Sequence, residues 1–329
     1  MPHAPAEGTR ACRDTLRAAQ QAAEADPWDG RTPRQAWFIQ RLARAAPGAE
    51  IRDLSPILDE LRLVKSPAEM EMLRRAGRLA ALALTEAMRH TRPGVMEYQL
   101  AAVADYLFLA RGARGGGYAP IVAGGANAWD AHYCRNQNAL RDGDLVLMDY
   151  APELAYYTSD IGRMWPVGGM YAPWQRELYG FMVEYHKILL ACIRPGVLAK
   201  EILAEAAARM QNVLDRTRFS KPHYAEAARR TLAFEGHLSH PVGMAVHDPG
   251  DYRGRPLVPG TVFAVDPQMW VPEEQLYIRV EDTVAVTQTG AEVLTAGAPL
   301  ELDEVEKTIK EESVLPPLPS AESASADLA

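Results

Sequence analysis

The chain has 329 residues, 48% of them hydrophobic, which is enough to bury one large core or two modest ones. Its formal net charge of −8, without a basic run or aromatic-basic interleaving, argues against a protein that works by neutralising phosphates, so nucleic acid is not an expected partner. No stretch approaches the ~20 apolar residues of a membrane span, Met1 to Arg10 lack an apolar signal core, and Cys12, Cys134 and Cys192 lie too far apart for a metal-ligand pair; the expectation is a cytoplasmic chain without a membrane partner.

Residues 1–60 form an N-terminal segment with a helical stretch from Arg10 to Ala25, a Pro/Gly break from Asp26 to Pro33 and a second amphipathic stretch. That is too little for an independent domain, and it reads as an adaptor or the remnant of a larger N-terminal domain. The body, 61–300, opens at Ser66-Pro67-Ala68-Glu69, a capping box with proline at the first helical position. The helix it starts ends at Arg92-Pro93-Gly94-Val95, and Glu97 to Ala110 reads as a second helix. Pro173 to Ile193 and Lys200 to Leu214 repeat this grammar, separated by Arg194-Pro195-Gly196-Val197 at an offset of 102 residues. From 301 to 329 the chain becomes an acidic tail, eight acids against two lysines. Glu301 to Glu312 keeps a helical pattern, whereas the last ~20 residues are expected to be disordered.

A second repeat carries acids. Leu140, Gly143 and Asp149 in LRDGDLVLMD match Leu257, Gly260 and Asp266 in LVPGTVFAVD, each at an offset of 117. Both segments read as a glycine turn followed by an apolar strand ending in aspartate, and each precedes another strand-like run bearing an acid, Asp160 and Glu281. The fold class this predicts is α+β: two related halves, each a helix pair plus antiparallel strands, with the acids meeting on an internal symmetry axis.

Four carboxylates brought together cannot all ionise without compensation, and two divalent ions would match their charge. His237, His240 and His247 fall in one short segment and offer neutral nitrogen ligands. An oxygen-dominated site with an imidazole suits manganese, cobalt, zinc or iron. Singly, each residue has a plainer explanation. Asp149 and Asp160 could cap turns, Glu281 could sit on a salt-bridged face beside Asp282 and Arg279, His240 could be a satisfied core histidine, and His132 is ambiguous. The constellation outweighs these, because the acids obey the repeat and the histidines fall between its halves.

The order Asp149, Asp160, His240, Asp266, Glu281 resembles the pita-bread metallopeptidases, in the aminopeptidase P and prolidase (Xaa-Pro dipeptidase) branch. The resemblance runs from about residue 55 to 297 and includes RLVKSPAEMEMLRRA, HLSHPVGMAVHD, LVPGTVFAVDP and IRVEDTVAVT. It implies a dinuclear peptidase hydrolysing the bond before proline by attack of a metal-bridging hydroxide, with two divalent ions, manganese first among the candidates. Asp149 would hold one ion, Asp160 and Glu281 would bridge, and His240 with Asp266 would hold the other. His132 and His247 would orient substrate and stabilise the oxyanion, Asp266 would relay a proton, and Arg279, two residues from Glu281, would brace the carboxylates. The implied partners are peptides with proline second, and a homodimer. Asp266 stands where the family usually has glutamate. Gly236 stands where it has a substrate histidine, with His237 one place along as this chain's substrate-binding counterpart. The alternative is a catalytically degenerate binding or scaffold protein on the same fold. A metal-independent hydrolase resembling creatinase ranks third.

Overall fold

The computed structural model describes residues 25–28, 32 and 34–318; the predicted helix from Arg10 to Ala25 lies outside these but for its last residue. Helix α1 (Arg34–Ala45) buries none of its residues, whereas α2 (Ser55–Leu63) is tied to the body. Glu60 takes two bonds from Arg255 at 2.8 Å, and Arg62 pairs with Asp248. The expected boundary at residue 60 therefore falls inside a helix that packs on the body.

Helix α3 (Pro67–His90) begins as its sequence dictates: Glu69 returns a carboxylate to the Ser66 N–H at 2.8 Å, and Ser66 Oγ accepts from the Glu69 N–H at 3.4 Å. Its inner face is lined by Leu73, Ala76, Ala80, Leu84 and Ala87, all fully buried. Then follow α4 (Glu97–Ala110), β1 (Ile121–Gly124), β2 (Leu145–Asp149) and β3 (Ile161–Pro166). The second half holds α5 (Pro173–Cys192), α6 (Ala199–Arg216), α7 (Pro222–Leu232), β4 (Val262–Val265), β5 (Gln268–Val271), β6 (Leu276–Arg279), β7 (Glu281–Val286), β8 (Ala291–Val293) and α8 (Leu302–Ile309).

The repeat predicted from sequence recurs bond for bond. Gly94 and Gly196 both take the left-handed backbone (φ +89° and +82°) in the turn that follows the first helix of each half, three residues beyond the extended C-caps Thr91 and Ile193. Gly94 N–H donates to Leu140 O, and Gly196 N–H to Leu257 O; Leu140 and Leu257 donate back to Val95 and Val197. Each RPGV turn is thus pinned to the residue that opens the acid-bearing segment of its own half.

The main sheet runs β1-β2-β3-β7-β4, with β8 added to β7. The β3–β7 pair at its centre joins the halves, placing Gly162 opposite Glu281 and Ile161 opposite Asp282. Asp149 ends β2 opposite Gly162, and Asp266 follows the last residue of β4. All four acids therefore come to one end of the central strands. Gly162 permits the closeness, because a Cβ there would stand 3.2 Å from both Cβ and Oε2 of Glu281.

Arg279 ends β6 and Glu281 opens β7, so the two lie in different strands. The chain leaves the small β5–β6 ribbon at Val280 and enters the main sheet at Glu281, yet the two-residue spacing still turns both side chains to one side. The tail also differs from expectation. Glu86 and His90 are buried on α3 and need polar partners; Ser313 Oγ donates to Glu86 at 2.8 Å, and His90 Nε2 lies 3.1 Å from the carbonyl of Pro316. With Leu315 and Leu318 packed on the core, residues 313–318 are held in place. Residues 319–329 lie outside the described set.

Candidate metal centre

Asp149, Asp160, Asp266 and Glu281 converge around a single guanidinium. Arg279 Nη2 reaches Asp149 Oδ2 at 2.8 Å and pairs with Glu281 Oε2, while its Nε lies 2.9 Å from Asp266 Oδ1. Tyr118 closes the other side, its hydroxyl donating to Asp149 Oδ1 at 2.5 Å and lying 2.9 Å from Asp160 Oδ1. His240 Nε2 stands 3.2 Å from Asp160 Oδ2, and its Nδ1 faces the Pro241 carbonyl at 3.2 Å. An Nδ1–H donated to that carbonyl aims Nε2 at the acids, where it shares a proton with Asp160 or, with that proton lost, offers a lone pair.

One cation cannot balance four buried carboxylates. Two like charges 4 Å apart repel by about 4 kcal/mol at an effective dielectric of 20. The strain falls on the protonation of the group. Burial, followed by neighbouring carboxylates and against the pull of Arg279, raises Glu281 well above the usual range, raises Asp266, and pushes Asp149 up to about 7. Burial acts the same way on Asp160, but the His240 hydrogen bond and charge outweigh it and hold that carboxyl low. Burial disfavours the His240 cation, yet Asp160 wins there too and raises it. Tyr118 is driven well above its ordinary range by burial and the adjoining acids, so it stays protonated and donates.

Glu281 Oε1 is fully buried and has no hydrogen-bond partner among the described residues. Among the described residues, Asp160, His240 and Glu281 offer ligand atoms within 4.8 Å of one another. An orphaned carboxylate oxygen, excess negative charge and an imidazole lone pair at that spacing together fit a divalent cation.

The remaining predicted residues surround this group. His247 lies over His240 (ring centroids 3.9 Å), and His132 follows at 6.3 Å from His247 and is exposed, so three imidazoles lead from the acids toward solvent. The loop carrying His240 and His247 is closed by buried Asp248, which accepts from the Ala245 N–H (3.2 Å) and pairs with Arg62 and, at 3.5 Å, with Lys65. His237 stands apart, edge-on to Phe234 at 5.6 Å, where burial and the charge of Arg253 lower its pKa.

Three contributors escaped the sequence reading. Tyr118 follows a glycine run that reads only as a loop. Gln268 Nε2 donates to Asp266 Oδ2 at 2.7 Å, in a strand with no distinguishing pattern. Glu97, fully buried in α4, accepts from Gly124 N (2.8 Å), Asn127 Nδ2 (2.7 Å), Tyr133 OH (3.0 Å) and Asn138 N (2.9 Å), and so fixes the segment bearing His132.

The profile of metallopeptidase family M24 matches residues 71–288, and the chain belongs to that family. Its α+β fold is the pita-bread arrangement of the aminopeptidase P branch. The Xaa-Pro aminopeptidase of Escherichia coli (strain K12) is 39% identical over 273 residues, 78% of this chain and 62% of the relative. Xaa-Pro aminopeptidase 3 of Homo sapiens is 33% identical over 285 residues, 82% of this chain and 56% of the relative. The chain thus spans less than two thirds of the length of these curated relatives. Among solved structures, proline aminopeptidase P II from Yersinia pestis superposes with a TM-score of 0.75 at 35% identity, covering 85% of this chain and 70% of that one. Zinc-substituted E. coli aminopeptidase P in complex with product gives 0.72 at 36% identity, covering 84% and 66%. No helix among the described residues is long and apolar enough to cross a membrane.

Proposed function

We propose that the protein is a dinuclear metallopeptidase that hydrolyses the bond before proline in peptides carrying proline second. The observation that carries this reading is the clustering of Asp160, His240 and Glu281 within 4.8 Å, with Asp149 and Asp266 tied to them through Arg279 and a buried Glu281 oxygen that has no hydrogen-bond partner among the described residues. Asp160 and Glu281 are proposed to be shared by two ions, Asp149 to complete one and His240 with Asp266 the other. The bound ions, manganese first among the candidates, would polarise the scissile carbonyl and lower the pKa of an attacking water.

The chain's own groups perform the rest. Arg279 and Tyr118 lock the carboxylates in orientation. Asp266, tethered by Gln268, accepts the proton released by the attacking water and passes it to the departing amine. His247 and His132 line the approach and donate to the oxygen that gains charge at the scissile carbonyl. Names borne by the relatives, Xaa-Pro aminopeptidase among them, support the proline preference. A cytoplasmic homodimer completes the proposal.

The test is hydrolysis of an Xaa-Pro dipeptide and of a longer peptide with proline second, with manganese added. Cleavage of either before proline supports the reading; cleavage of the dipeptide alone makes the protein a dipeptidase, and cleavage of the longer peptide an aminopeptidase. No turnover of either favours a scaffold protein on the same fold.

A further inference from the structure

The loop that bears His240 and His247 is anchored from outside the centre, on Arg62 in the last turn of α2 and Lys65 just beyond it. We propose that these two cations are positioning residues: acting together through Asp248, they hold His247 over His240 at the approach to the carboxylates. This rests on His247 serving the reaction proposed above.

Asp248 follows His247 and clamps the loop twice. Its N–H donates to the Pro241 carbonyl at 2.9 Å, and its carboxylate accepts from the Ala245 N–H at 3.2 Å, so the residue after His247 is tied to the residue after His240. That carboxylate is buried, where a charge without countercharge is costly. Arg62 pairs with its Oδ1, and Lys65 faces its Oδ2 at 3.5 Å. The same loop reaches the carboxylates through the backbone. Gly243 O accepts from the Thr158 N–H (2.9 Å), two residues before Asp160, and His240 O accepts from the Ala264 N–H (2.9 Å), two before Asp266.

Lys65 is poorly suited to stabilise the fold by itself. Its side chain is 1% exposed, and the two oxygens that face its ammonium, Leu63 O at 3.4 Å and Asp248 Oδ2 at 3.5 Å, are both distant for a hydrogen bond. Burial pulls the ammonium below its ordinary pKa, against the opposing charge of Asp248. An apolar side chain of similar length would pack there with no charge to desolvate. What the ammonium supplies is a second charge on the carboxylate, at its other oxygen. Its own backbone is immobilised, since the Lys65 N–H donates to Gly260 O at 2.8 Å and Val64 bridges Thr261. Gly243 makes the room: a Cβ there would collide with Asp248 Oδ2 and stand 3.2 Å from Lys65 Cε. Asp248 is thus fixed from two sides, and with it the chain at His247, whose ring centroid stands 3.9 Å from that of His240.

The experiment uses the full chain with Arg62→Met, Lys65→Met and a control, Arg255→Met, which cuts the exposed pair with Glu60 and loosens α2 without touching Asp248. In metal-free protein with labelled histidine rings, the His247 NMR signal is identified by its loss in His247→Ala. It is expected to shift or broaden in Arg62→Met and Lys65→Met and to stay in place in Arg255→Met. With metal and a peptide carrying proline second, the two variants should lower kcat about fivefold or more, with KM within about twofold and metal content unchanged, because His247 meets charge that develops in the transition state. In a His247→Ala background the same substitutions should cost less than about twofold, since the group they act through is gone. The Arg62 side chain is 26% exposed, so its variant decides the matter even where Lys65→Met does not fold. An unmoved His247 signal in Arg62→Met or in folded Lys65→Met overturns the proposal, as does an equal kcat loss in Arg255→Met or an undiminished loss without His247. A moved signal in protein that cleaves nothing before proline removes the proposed function and leaves the positioning standing; cleavage before proline with an unmoved signal does the reverse.

Discussion

Glu281 and Asp282 are neighbours in β7, both buried, and they live in opposite worlds. Asp282 faces away from the centre and is fully matched: Arg163 donates at 2.8 Å, His186 Nε2 stands at 2.7 Å and Thr295 donates at 2.5 Å. Burial alone would raise its pKa, but Arg163 and His186 outweigh that and hold it far below the ordinary carboxylate range. Glu281 faces the centre, has one oxygen without a hydrogen-bond partner among the described residues, and is pushed well above that range by burial and three other acids. Strand alternation alone sends the two to opposite faces. One face was built to be satisfied by the chain, and the other to be satisfied by something the chain binds.

The largest expected break in this comparison is catalytic. Glu281→Gln should cost about a thousandfold or more in peptidase activity, as lost charge stabilisation of several kcal/mol implies, while the Tm of the metal-free protein stays level or rises. Asp282→Asn should do the opposite. It leaves Arg163 buried without its countercharge and should lower stability by about 3–5 kcal/mol in urea unfolding, with loss of activity only in proportion to unfolded protein.

The two faces also differ in pH response. Asp282 has a depressed folded pKa, so its stabilisation is present above the unfolded value near 3.9 and is lost as pH falls below it. Asp149 has a folded pKa pushed up to about 7, so in metal-free protein the native state holds an extra proton between about pH 4 and 7 and stability falls as pH rises through that window. Thermal melts with and without chelator from pH 4 to 8 check this; added metal should flatten the fall.

Smaller effects sharpen the contrast. Gln268→Ala frees Asp266 and should weaken metal binding about 10- to 100-fold in a chelator titration, with little change in metal-free Tm. Arg74→Ala breaks a half-exposed pair with Glu292 (2.7 Å) and should cost less than about 1 kcal/mol in urea unfolding, marking what an ion pair is worth when water can replace it.

Much of the fold was legible because its signals are local. The Ser66 capping box, the RPGV turns and the glycine-strand-aspartate segments each follow from a few adjacent residues, and their fixed offsets revealed the two halves. Helix α7 was missed although Pro222 opens it. The four acids were found because they obey the repeat. Tyr118, Gln268 and Glu97 obey none; their roles come from contacts 31, 2 and 27–41 residues away, and nothing in their immediate sequence announces a partner. The partition between Glu281 and Asp282 was half legible. Alternation separates them, but that Arg163 and His186 stand on one side and Arg279 and His240 on the other is decided by distant segments. Residues 313–318 misled because low complexity suggests disorder, whereas Glu86 and His90 on α3 recruit them.

The measurement that bears most directly on this account is metal content per chain, by elemental analysis after dialysis against manganese, for the unmodified protein and for Glu281→Gln and Asp282→Asn. The account predicts about two ions in the unmodified protein, a clear loss in Glu281→Gln, and the full complement in whatever Asp282→Asn protein remains folded. No metal in the unmodified protein, or equal content in all three, would contradict it.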